Sequence, residues 1–177
     1  MFETLLLLTI PTLLFRLLGA VGVARFATWR VAAAHGLAFM LLMTGTSHFM
    51  PNSVPVLPHH GDLARMVPPF VPFPDFMVYL TGVLELAGAL GLVLARFRRP
   101  AGLALAALFV LLLPANIYAA VDHIPFDGSA ATPLWFRIPE QLVYIAVALF
   151  AALGTYSRVT KGSRSMIENR AESVPWT

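Results

Sequence analysis

Residues 76–95 form an apolar run with one acid, Glu85, at its centre. At a rise of ~1.5 Å per residue, ~20 residues cross the ~30 Å hydrocarbon layer of a bilayer, which puts Glu85 near mid-depth. Insertion scales charge an acid there about 2.5–3.5 kcal/mol, so the carboxyl must be protonated, paired or turned to a wet cavity. Thr81, Gly82, Gly88 and Ala89 share its helical face and are small enough to admit a second helix. His48 closes another apolar block, Asn116 lies near the end of a third, and Arg137 and Gln141 open the last. An acid and an imidazole in an apolar setting can pass a proton, which makes Glu85 and His48 a candidate relay. With Asn116, Arg137 and Gln141 they form a candidate polar cavity, open to one side of the bundle, for a cofactor or solute. The competing reading is that these residues are packing contacts, hydrogen-bonding across helices at about 0.6–2 kcal/mol each.

The elements that must position them are membrane helices. Hydrophobic residues make up 58% of the chain and charged residues 12%, and the apolar ones fall in long blocks. Five such blocks occur, at 2–24, 31–50, 76–95, about 100–121 and a last one ending near 155. The expected fold is all-α: a polytopic transmembrane bundle of four helices (31–155) preceded by an N-terminal transmembrane helix and basic turn (1–30), with 156–177 a flexible tail. There is no cysteine, which excludes disulfides, Cys-ligated metals and iron–sulfur clusters. No metal-ligand spacing, phosphate loop or hydrolase triad is present. A bis-histidine haem could draw only on His48 with His123, the two histidines placed near one surface.

A pI near 9.8 would suggest a nucleic-acid partner in a soluble protein, but here the basic residues follow topology. Arg25 and Arg30 fill one turn and Arg96, Arg98 and Arg99 another, whereas 122–136 has no Lys or Arg and 51–75 has only Arg65. The positive-inside rule then places the N-terminus outside and both basic turns and the tail in the cytoplasm. Residues 51–75 hold seven of the fourteen prolines and read as a structured loop with one helical turn at Gly61–Met66. Thr132–Pro133 reads as an N-cap and first helical residue. His35 stands by itself in its block, and His59 and His60 default to a solvated role. Pro74–Tyr79 and Pro139–Tyr144 share a Pro-acid-x-x-Val-Tyr pattern, which suggests two repeated hairpins.

The strings TGTSHFMP, MVPPFVPFPDFMVYLTGVLELAGALGL, RFRRPAGLALAALFVLLLPANIYAA and TPLWFRIPEQLVYIA together resemble the DoxX family of small bacterial membrane proteins. The likeness covers roughly residues 31–150. That family has a four-helix core, so the first block departs from it and is similar to a longer subgroup with an added N-terminal span. The resemblance implies a multi-pass protein of the bacterial inner membrane. The family takes its name from a subunit associated with a thiosulfate:quinone oxidoreductase, which implies a quinone-interacting subunit fed by a redox partner protein. The alternative it leaves open is a non-catalytic scaffold or small-solute carrier. Family membership would map onto His48, Glu85, Asn116, Arg137 and Gln141.

Overall fold

The computed structural model describes residues 2–51, 53, 58–126 and 128–153. The expected tail at 156–177 lies outside them. Five long helices and one short one follow in order: α1 (Glu3–Ala20), α2 (Trp29–Ser47), α3 (His60–Arg65), α4 (Pro74–Val93), α5 (Arg98–Val121) and α6 (Leu134–Leu153). The chain is all-helical, as the sequence leads one to expect.

Local chemistry sets the helix ends. Thr28 caps α2 by accepting the Val31 N–H, and Pro74 occupies the first turn of α4, where a missing N–H costs nothing. At the end of α5 the Ile124 N–H reaches back to the Ala119 carbonyl while His123 takes a left-handed φ of 52°, a Schellman closure with histidine where glycine is usual. α6 begins one residue later than expected, because the Pro133 carbonyl already accepts from Phe136 and Arg137.

α2, α4, α5 and α6 pack in sequence into a closed four-helix ring, and α1 lies outside it against α2. Small residues set the close approaches. A Cβ on Gly36 would lie 1.9 Å from the Thr12 hydroxyl of α1, and one on Gly102 would lie 2.6 Å from the Ala148 carbonyl of α6.

Among the described residues four helices, α1, α4, α5 and α6, are long and apolar enough to cross a membrane. α2, expected as a fifth span, is not among them, since it carries Arg30, His35 and the polar run Thr44–Ser47. Its position explains how it tolerates them: α1, α4 and α6 surround it, so protein rather than lipid covers most of its surface.

Alternating helix directions give the bundle two chemically different ends. One carries Arg16, Arg25, Arg30, Arg96, Arg98 and Arg99 and, among the described residues, no acid. The other carries Glu3, Asp62, Asp75, Asp122 and Glu140 with Arg65 and Arg137.

The expected repeat fails in register. Pro74 starts α4, whereas its counterpart Pro139 lies inside α6. Tyr79 is half-exposed and stacks on His60, whereas Tyr144 is buried and bonds to Glu140. The match reflects shared composition, not shared position along a helix.

Candidate functional site

Inside the ring the buried residues sort by depth. Toward the arginine end the core is aliphatic, built from Leu37, Leu41, Leu92, Leu105 and Ala148 with Phe109. Toward the other end the same helices turn inward His48, Glu85, Asn116 and Gln141, each no more than 7% exposed. Four of the five residues singled out from sequence are thus buried in the polar half of one interior. Arg137, a turn before Gln141, is only partly buried.

The best-defined contact joins α2 to α4. Glu85 Oε2 accepts the Thr44 hydroxyl at 2.8 Å, and Oε1 lies 3.6 Å from His48 Nε2, within ion-pair range but longer than a hydrogen bond. His48 Nδ1 lies 2.7 Å from the Val78 carbonyl. A carbonyl can only accept, so Nδ1 carries a hydrogen and Nε2 is the position left to titrate. With Glu85 ionised and Nε2 bare, two lone pairs would face each other across 3.6 Å in a dry interior. One proton, on Nε2 or on Oε1, removes that conflict, and either placement leaves the pair neutral overall. His48 Nε2 and Glu85 Oε1 thus face each other across α2 and α4, and a hydrogen on either would point at an acceptor on the other.

Gly82 makes this geometry possible. A Cβ there would lie 2.5 Å from His48 Cβ and 2.9 Å from the Phe49 ring, so any larger residue would push the end of α2 off α4.

A second buried acid joins α1 to α6. Glu140, 5% exposed, accepts from the Thr4 hydroxyl at 2.5 Å and the Tyr144 hydroxyl at 2.8 Å on the same oxygen. Among the described residues, no hydrogen bond or ion pair joins this cluster to His48 or Glu85. The buried Nε of Arg137 and the buried Oε1 of Gln141 have no hydrogen-bond partner, and Asn116 uses its amide N–H on the Leu112 carbonyl of its own helix. Of the five residues expected to line one vestibule, His48 and Glu85 therefore meet as a pair, Asn116 bonds to its own helix, and Arg137 Nε and Gln141 Oε1 are left without a hydrogen-bond partner.

The remaining histidines differ from expectation. His35 is not isolated: its Nδ1–H donates to Val31 at 2.7 Å, and its Nε2 accepts from Arg25 at 3.3 Å. Arg25 and Arg98 then donate to the last carbonyls of α4, at Val93 and Leu92, where cations offset the negative end of the helix dipole. His59 is bound to Asp62 in a capping box at the start of α3, and His60 bonds to both Asp75 and the His48 carbonyl. His123 is used to close α5, as above.

Sequence reasoning missed Thr44, Thr4, Glu140 and Tyr144 as partners. Thr44 was within reach, because it lies four residues before His48 on the same helical face. Thr4 and Glu140 are 136 residues apart, and nothing local announces their meeting.

A family model described as a domain of unknown function, DUF8561, matches residues 37–152. No curated protein and no solved structure matches the chain. The matched segment contains His48, Glu85, Asn116, Arg137 and Gln141, nearly all of the four-helix ring, and none of α1.

Proposed function

The chain belongs to the DUF8561 family, and from that premise we propose that it is a multi-pass protein of the bacterial inner membrane, a quinone-interacting subunit in which the His48–Glu85 pair exchanges a proton with a bound quinone ring. The observation that carries this reading is the pair itself: a buried imidazole whose Nε2 faces a buried carboxyl oxygen 3.6 Å away between α2 and α4. The DoxX-like strings support the same reading.

The donor set fits the group. Quinone carbonyls only accept, and hydroquinone hydroxyls also donate. The Gln141 amide, with its acceptor unmet, can serve either form by turning over. A quinone, when bound, supplies two-electron, two-proton chemistry, with the electrons coming from a redox partner protein. His48 and Glu85 hold a proton at Nε2 or Oε1 and keep it out of water, and Thr44 orients the carboxyl. The arginine end faces the cytoplasm and the histidine end faces outward, following the positive-inside rule.

A second reading, a non-catalytic scaffold or small-solute carrier, is favoured by one fact: Glu85 already has a hydroxyl and an imidazole against it, as a packing contact would. Purification in native lipid separates the two. Quinone that co-purifies with wild type and is displaced by a quinone-site inhibitor supports the first reading. Lipid extracts with no enrichment of quinone, together with solute uptake into liposomes in the absence of any redox partner, would overturn it.

A further inference from the structure

The ring of His60 faces acceptors at both of its nitrogens. Nδ1 lies 2.8 Å from the His48 carbonyl oxygen and Nε2 lies 3.0 Å from Asp75 Oδ1. A carbonyl has no hydrogen to give, and Asp75, with its side chain 75% exposed, offers a carboxylate. Two acceptors need two N–H groups, and only the imidazolium has two.

The rest of the surroundings hold the ring in this position. Its face stacks on Tyr79, centroids 4.1 Å apart, and its backbone N–H donates to Met50 at 3.1 Å. Among the described residues, no other carboxylate bonds to it. Asp62, the acid of α3, is taken up by His59 and Arg65. On α2, the His48 ring is turned away toward Val78 and Glu85. On α4, only Asp75 and Tyr79 face His60.

We infer that His60 is a proton-operated clasp: its imidazolium ties the start of α3 to the end of α2 and the first turn of α4, at the end of the ring that holds the His48–Glu85 pair. When the proton leaves, one of the two ties becomes a lone pair facing an oxygen. The closed form exists with a proton bound, so the clasp is tight while the ring is charged and loosens when the proton leaves. The neutral ring keeps its one hydrogen on Nδ1, facing the His48 carbonyl that can only accept, so the tie that is lost is the exposed one to Asp75, and loosening frees the start of α3 from the first turn of α4. The clasp stands whatever the pair binds.

Hydrogen exchange of the full-length protein in lipid nanodiscs tests this, with rates corrected for intrinsic base catalysis. In wild type, amides of 59–67 should lose about tenfold or more of their protection between pH 5.5 and pH 8, the factor that one charge-assisted hydrogen bond implies, while amides at 86–92 keep theirs. Asp75→Asn should stay closed and lose the pH step, because its side-chain amide can turn its NH₂ to the bare Nε2. His60→Phe keeps the stack on Tyr79 but donates nothing, so the segment should exchange fast at both pH values. Protection in wild type that does not change with pH would overturn the clasp, as would a pH step that survives undiminished in Asp75→Asn.

Discussion

Replacing Glu85 tests the account of the buried pair at its root. In Glu85→Gln, the amide oxygen can still accept from Thr44 while the NH₂ donates to His48 Nε2, which is bare once Nδ1 is committed to Val78. Every partner stays satisfied and no charge remains, so stability should stay within about 1 kcal/mol, or about 2–4 °C in Tm for a chain of this length. Glu85→Leu differs. Thr44 can turn its hydroxyl back onto its own helix, as Thr9, Thr12 and Thr46 do, but His48 Nε2 is left without a partner. One orphaned buried polar group costs about 1–3 kcal/mol, which lowers Tm by about 2–12 °C. Glu85→Lys sets a cation against His48 in a dry interior and should be the worst of the three. Thermal unfolding in nanodiscs, followed by circular dichroism at fixed lipid composition, gives the order Gln, Leu, Lys. If Gln fails to assemble while Leu assembles like wild type, the carboxyl is not held as described and the shared-proton reasoning falls with it. Proton-coupled activity, where an assay exists, should be lost in Gln although the fold survives.

Further tests follow from close approaches and charge. Gly45→Ala and Gly82→Ala both gain about 0.8–1 kcal/mol of helix propensity, but the new Cβ at 45 meets the Leu86 side chain at 3.0 Å and Glu85 Cβ at 3.4 Å, whereas at 82 it meets His48 Cβ at 2.5 Å. Gly82→Ala should therefore be the less stable by about 1–3 kcal/mol in the same melting experiment, and equal melting would contradict the packing. Thr4→Val keeps the shape of the side chain but removes a hydroxyl from Glu140. α1 amides should then exchange about tenfold faster or more while α4 is unaffected, and no change would mean that the contact does not hold α1. Single cysteines in this cysteine-free chain test the orientation: Ser53→Cys and Ser129→Cys should react with an impermeant reagent in intact cells, and Ala27→Cys only after lysis. Labelling of Ala27→Cys in intact cells would invert the topology.

What could be read from sequence was whatever a single helix states about itself. Block lengths place α1, α4, α5 and α6 to within a few residues, and Gly61–Met66 anticipates α3 at His60–Arg65. Glu85 was legible because an acid amid leucines has few solutions, and Gly82 beside it marked where the second helix would come. Contacts between distant residues were not legible. That Arg25 reaches Val93, 68 residues away, to finish another helix leaves no periodic trace. His60 looked solvated because a loop position says nothing of Asp75 and the His48 carbonyl closing around it. The failed repeat has the same origin, since proline, acid, valine and tyrosine recur wherever helices enter a membrane, without fixing register.

The low hydropathy of α2 has a consequence for biogenesis. A segment carrying Arg30, His35 and four consecutive weakly polar residues partitions poorly into lipid by itself, yet it must take its place in the ring between α4 and α6. α1 precedes it, is rich in leucine, is only 11% buried across its span, and meets α2 as closely as Gly36 meets Thr12. The two helices are suited to leave the insertion machinery as one hairpin, with α1 shielding α2 from lipid until α4 and α6 arrive. On this view α1, which lies outside the matched domain, acts as an intramolecular escort for the least apolar helix of the ring.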